Sequence, residues 1–328
     1  MCRVLSGKLI SAGFRRRGAS KSSQGDKSPQ RRFALPSWRR SAALWVAFTL
    51  ALGGLVFYAV NAEGERVHRA DLNDAGVWIT SRDLGLLARQ NTAVDLVDAR
   101  VPARAGTDFD VLQDAAAVVS VEGVSGTIIP VDPRLGQAVV DDAVVVAGQP
   151  VMGGGSVAVV DAAKGSLWAT RVDRSLGISS LASLDAESKA LDNVGPQAVV
   201  AASSSGRLYA ASAAKATVST LTPKGSGYGE PGREDLAASP VDGLMQAAVV
   251  GETPVFLDGA GNLITTDLVV ELPAGNPRLQ TSGPQDEEVF VAHDRGLVAV
   301  DLSSGKVREV VEAAGEAAAP VRLGGCLY

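Results

Sequence analysis

Histidine and cysteine are almost missing from this chain, with two of each in 328 residues. Any catalytic triad or zinc site that needs a histidine must use His68 or His293. There is no HExxH, no CxxC and no GxSxG context, so neither zinc nor serine-nucleophile chemistry has a framework. Cys2 and Cys326 are the only two, and the topology argued below places them on opposite sides of a membrane, which excludes a disulfide framework; Cys326 reads as a small buried residue. Aromatics are 5% of the chain against 46% hydrophobic residues in all, so the core must be built from small and β-branched side chains. The glycine run "GGGS" at 153–156 lacks the Lys-Ser/Thr and helix of a phosphate loop and reads as a flexible hairpin tip.

Charge is unevenly placed. Residues 1–41 carry eleven Lys or Arg and one acid, Asp26, out of 31 basic and 36 acidic residues in the chain, so everything downstream is strongly acidic. Between the two lies "AALWVAFTLALGGLVFYAV", Ala42 to Val60, without a charge. At about 1.5 Å per residue such a helix matches the roughly 30 Å hydrocarbon core of a bilayer. Trp45 and Tyr58 fall at its two interfaces, and Arg39 and Arg40 at its mouth place the basic side in the cytoplasm. The expected order is a disordered basic tail (1–41), a transmembrane helix (42–60), a linker (61–75) and an extracytoplasmic body (76–328). A cleaved signal peptide is the competing reading; the long apolar stretch and the forty-residue leader argue against it. The tail is poor in aromatics that would stack on bases, so anionic lipid, and not nucleic acid, is its expected partner.

From Gly76 onward, short Val/Ile/Leu/Ala runs are each stopped by Gly, Asp, Asn, Ser or Pro, the pattern of strands of four to eight residues. Paired runs recur as "VVSVEGVSGTIIPVDPRLG", "MGGGSVAVVDAAKGSLWATRV", "VVAASSSGRLYAASAAKATVSTL", "PVFLDGAGNLITTDLVVEL" and "VFVAHDRGLVAVDLSSGKVREVV". Taking Asp132, Asp161, Asp267 and Asp301 as equivalent, with Ala213 in the degenerate third copy, the mean interval is about 42 residues, within the roughly 40–50 of a four-stranded propeller blade. The fold class expected is all-β: a β-propeller of about six or seven blades. Near-continuous apolar runs fit blades that bury both faces. "APVRLGGCLY" at the C-terminus reads as the opening strand of another unit. Either "GVWITSRDLGLL" near residue 76 supplies the closing strands or the propeller is truncated, and truncation is the expectation.

"DAAKGSLW", Asp161 to Trp168, resembles the blade turn of quinoprotein-like and YVTN-like propellers, and "DLSSGKV" at 301–307 is the same turn without its tryptophan. With the basic leader, the anchor and "NDAGVWIT", the chain resembles the N-terminal region of large actinobacterial membrane-anchored surface proteins. That resemblance implies fibronectin type III or immunoglobulin-like modules following the propeller.

No catalytic, cofactor-binding or metal residue is assigned, and no cofactor. A quinone-dependent dehydrogenase would need a calcium-bound cofactor, and several of its members carry an adjacent cysteine pair absent here. The acids "DEE" at 286–288 read as a solvated loop, "SSSG" at 203–206 and "SSG" at 303–305 as turns, and the insertion 222–240 as contact loops or connectors. His293 reads as the last residue of a strand, and Asp294 as the tie of the turn that follows. The expected function is a non-catalytic binding or scaffolding module at the cell envelope, with an extracytoplasmic protein or polysaccharide as ligand. The alternative is a polysaccharide hydrolase or lyase using rim carboxylates, which would need two at a separation of about 5–10 Å.

Overall fold

The computed structural model describes residues 76–327, apart from 93, 104–107, 124–125, 147, 179, 185–188, 316 and 324–325. The tail at 1–41, the membrane helix at 42–60, the linker at 61–75 and His68 lie outside the described residues. Among those described, no helix is long and apolar enough to cross a membrane.

The described residues form six antiparallel meanders. Sheet I is β1 (Gly76–Ser81), β2 (Leu86–Asn91) and β3 (Leu96–Pro102). Sheet II is β4 (Phe109–Asp114), β5 (Ala117–Glu122), β6 (Thr127–Asp132) and β7 (Gln137–Ala138), with β8 (Val144–Val145) also on β6. Sheet III is β9 (Pro150–Gly153), β10 (Ser156–Asp161) and β11 (Ser166–Arg171). Sheet IV is β12 (Ala198–Ala202), β13 (Leu208–Ser212) and β14 (Thr217–Leu221); after an inserted hairpin, β15 (Pro223–Lys224) and β16 (Gly227–Tyr228), it is completed by β17 (Gly232–Asp235). Sheet V is β18 (Leu244–Val250), β19 (Thr253–Asp258), β20 (Asn262–Ile264) and β21 (Val269–Glu271). Sheet VI is β22 (Arg278–Leu279), β23 (Glu288–His293), β24 (Gly296–Asp301) and β25 (Val307–Glu312), followed by the hairpin β26 (Arg322–Leu323) and β27 (Cys326–Leu327).

First strands of successive sheets lie side by side, β4 by β9, β9 by β12, β12 by β18 and β18 by β22. The sheets therefore pack face to face around a common axis, as propeller blades do. Five apolar clusters fill the spaces between neighbours. Trp78, Leu87 and Phe109 join sheets I and II, and Val119, Ile128 and Val159 join II and III. Leu167, Val200 and Leu208 join III and IV, Tyr209, Val249 and Phe256 join IV and V, and Val255, Leu257 and Val291 join V and VI. Because a middle strand is covered on both sides, all six residues of β10 are buried, and strict alternation never develops. Outer strands have no second neighbour and open to solvent: β17 is fully exposed, and β25 nearly so.

The repeat expected from the aspartates mixes two places in the blade. Asp132 and Asp301 end third strands, whereas Asp161 ends a second strand and Ala213 follows one. Asp267 sits in the turn from β20 to β21, and its own N–H is taken by the Thr265 hydroxyl. The structural equivalents are the first strands, which begin at 109, 150, 198, 244 and 278.

Cys326, expected as a small buried residue, is partly exposed in β27.

Candidate functional site

Turn chemistry accounts for most of the conspicuous aspartates. In Asp132, Asp161, Asp173 and Asp301 one carboxylate oxygen accepts the N–H groups two and three residues on. The N–H of the glycine four residues on is donated back to the aspartate carbonyl. Gly165 and Gly305 stand at φ 67° and 72°, the left-handed conformation that closes this turn. Hydrogen bonds of this kind favour the charged form of a carboxyl. The Asp161 carboxyl is lowered chiefly by the Lys164 N–H, that of Asp173 by the Ser175 hydroxyl, and that of Asp301 by the Ser303 hydroxyl, to about 2. Trp168 of the "DAAKGSLW" turn packs on the cluster between sheets II and III, with the Lys189 ammonium 6.0 Å from its ring.

A depressed carboxyl stabilises the fold above its unfolded value and ceases to do so as pH falls through its folded value. Asp301→Asn is therefore expected to lower the urea midpoint by a constant amount above about pH 4, the ordinary aspartate range. The difference from the parent should shrink and vanish near pH 2. A difference independent of pH would show that the charge of Asp301 contributes nothing.

The opening suspects resolve similarly. His293 is the last residue of β23, as expected, and its Nδ1 accepts the Arg295 N–H at 3.3 Å. Asp294 does not tie that turn: its carboxylate accepts the Asn276 side chain at 2.8 Å, from the loop before β22. The "DEE" acids are not simply solvated, since Asp286 pairs with Arg322 and Glu288 takes a forked contact from Arg308. The insertion at 222–240 is a strap: Tyr228 donates its hydroxyl to the Thr170 carbonyl of β11 at 3.2 Å, and burial pushes that phenol up.

Where the first strands end, polar ties lock neighbouring sheets together. Asp114 accepts the Gly155 N–H at 2.6 Å and the Arg174 guanidinium at 2.8 Å. The "GGGS" and "SSSG" segments meet here, making the first a close-packed tip and not a flexible one. Ser156 donates its hydroxyl to the Gly206 carbonyl at 2.6 Å, and Arg171 donates to the Gly154 carbonyl and the Ser156 hydroxyl. Further round, Tyr209 donates to the Glu252 carbonyl, burial raising its phenol, and Arg207 pairs with the Glu252 carboxylate.

Where the first strands begin, a cleft of about 230 Å³ opens among sheets I, II and III. Its floor is Phe109, Leu112, Val121 and Pro150, and its polar groups are Arg82, Asp108, Asp110 and Gln149. Arg82 reaches Asp108 at 3.2 Å, both well exposed. Asp110 accepts the N–H of its own neighbour Val111. Sequence reasoning missed this cleft because its parts come from three turns that share no motif. Among the described residues no group of three His, Cys, Asp or Glu is placed to hold a metal ion.

No family model matches the chain, and no curated protein matches it. Solved structures do. The dihydro-heme d1 dehydrogenase NirN, solved in complex with DHE, superposes with a TM-score of 0.52 at 15% identity over 79% of this chain and 57% of that one. Hsv2 of Kluyveromyces lactis superposes with a TM-score of 0.50 at 10% identity over 75% of this chain and 84% of that one. Both are β-propeller proteins. This chain thus spans little more than half the length of NirN, and at such identities the likeness is one of fold alone.

Proposed function

We propose that the chain is a membrane-anchored, extracytoplasmic β-propeller that binds or scaffolds a protein or polysaccharide at the cell envelope without transforming it. The observation that carries the binding role is the cleft of Arg82, Asp108, Asp110 and Gln149. It is an apolar floor ringed by a few polar groups, set on a body whose neighbouring sheets II to IV are tied together at the opposite end. The uncharged stretch 42–60 and its basic flank support the anchor, and the tail then lies against anionic lipid.

A polysaccharide-cleaving role is the second reading, because Asp108 and Asp110 share the cleft. Against it, Asp108 is engaged with Arg82, and Asp110 with its own strand.

The test uses the full chain in lipid nanodiscs with isolated cell-wall polysaccharide and with envelope protein as separate probes. Arg82→Glu should weaken binding about tenfold, the equivalent of one charged contact. Unchanged binding would remove the cleft from the reading. Release of new sugar ends that stops in Asp108→Asn or Asp110→Asn would establish the enzyme instead. The orientation is tested separately. A reporter fused after residue 70 should be active only outside the cytoplasm, whereas a Cys2–Cys326 disulfide recovered from intact cells would put both ends on one side and overturn it.

A further inference from the structure

Two neighbouring turns carry leucines that the turn itself does not require. "DPRLG" at 132–136 and "DRSLG" at 173–177 have one structure: an aspartate oxygen accepts the N–H groups two and three residues on, and the glycine N–H is donated back to the aspartate carbonyl. The place before the glycine is Lys164 in "DAAKG" and Ser304 in "DLSSG", so this turn accepts a polar residue there. In the two neighbours it is Leu135, 69% exposed, and Leu176, 63% exposed. One exposed leucine is ordinary, but two on adjoining tips make a patch.

The tips adjoin because both stand beside the β4–β5 turn, where the first strand of sheet II ends. Ala116 of that turn donates its N–H to the Arg174 carbonyl at 2.8 Å, and Arg134 donates to the Leu176 carbonyl at 3.0 Å. Arg134 and Arg174 are themselves exposed, Arg174 reaching Asp114 at 2.8 Å, while the Asp132 and Asp173 carboxylates are turned onto the N–H groups of their own turns. The chain enters the body at this same end: Gln113 donates to the Gly76 and Ala115 carbonyls at 2.8 and 3.2 Å. Asn91 pairs with both Gly76 and Leu96, so the β2–β3 connection lies here too, with Val94 59% exposed. Only the linker 61–75 separates Gly76 from the uncharged stretch 42–60, and fifteen residues reach at most about 50 Å. A body tethered so closely meets the bilayer surface at a roughly millimolar effective concentration, at which a contact of a few side chains suffices.

We propose that this end of the body rests on the lipid surface of the membrane that anchors the chain, with Leu135 and Leu176 among the upper acyl chains and Arg134 and Arg174 at the phosphates. Apolar side chains that dip below the headgroups, flanked by cations at the phosphate level, are what an interfacial contact needs. The inference rests on the membrane-anchored reading. It sets the cleft of Arg82 and Asp108, at the opposite end, facing away from the bilayer and toward the envelope.

The experiment uses the full chain with Cys2→Ser and Cys326→Ser in nanodiscs of phosphatidylcholine and phosphatidylglycerol, with one cysteine at Leu135, Leu176 or Leu84 carrying an environment-sensitive fluorophore. Leu84, in the β1–β2 turn at the cleft end, is 72% exposed and serves as the control. Spin-labelled phosphatidylcholine should quench the labels at 135 and 176 and spare the one at 84. Leu176→Ser should leave the urea midpoint unchanged and shift the docking equilibrium read by the label at 135 about tenfold toward the undocked state. Equal quenching at all three positions, none at any, or an unchanged equilibrium in Leu176→Ser would overturn the docking. Shielding of 135 and 176 only on addition of envelope protein would overturn it in favour of a protein partner. A chain that leaves the nanodiscs on gel filtration would defeat anchor and docking together, whereas a retained chain with unquenched tips defeats the docking alone.

Discussion

Asp258→Ala is expected to lose about 3–5 kcal/mol of stability, the range in which a buried hydrogen-bond network is dismantled. Asp258 is 2% exposed and carries four contacts on two oxygens. One oxygen accepts the Ala260 and Asn262 N–H groups, closing the turn between β19 and β20. The other accepts the Asn262 side chain and the Val241 N–H, which belongs to the loop arriving from sheet IV. Alanine leaves three backbone donors without their acceptor in a place that admits little water. Asp258→Asn keeps one acceptor oxygen and should recover about half of the loss. Urea denaturation of both variants checks this, and a loss under about 1 kcal/mol in the alanine variant would mean the loop finds other partners.

Gly154→Ala is the second large effect. Gly154 sits at φ 55°, and a Cβ there would lie 2.0 Å from the Gly206 nitrogen and 2.5 Å from the Ser205 carbonyl carbon, both backbone atoms of the adjoining turn in sheet IV. Neither can rotate aside. Sheets III and IV would have to separate, weakening the cluster of Leu167, Val200 and Leu208 between them. Gly225 supplies the control, since its φ is 61° but a Cβ would meet nothing within 4 Å. Gly225→Ala should cost only the left-handed strain of about 1 kcal/mol, and Gly154→Ala at least about 4 kcal/mol or a failure to fold. Equal losses in the two variants would show that the close approach of the sheets contributes nothing.

Both effects come from positions whose weight in the sequence is small. "DGAGN" reads as a turn, and Asp258 was passed over as a repeat marker in favour of Asp267, because the two turns of a blade use the same residues. Only the folded chain brings the Val241 N–H, from the loop that arrives from sheet IV, to Asp258 as well as its own turn. "GGGS" reads as a hairpin tip, which it is, but what surrounds a tip is not written in it. The cleft is further still from the sequence, since Arg82, Asp108 and Gln149 belong to three different sheets.

What the sequence determined by itself was local: strands, their stops, the aspartate-to-glycine turns, and a body made of meanders. These depend on hydrogen bonds spanning four residues and on the φ that glycine supplies, so a short window carries them. Tertiary structure decided the phase of each strand within its sheet, and which carboxylates are tied and which face a cleft. The physical reason is that a strand covered on both faces reads the same whether it stands first, second or third. Its place is set by contacts with neighbouring sheets, formed by residues tens of positions away.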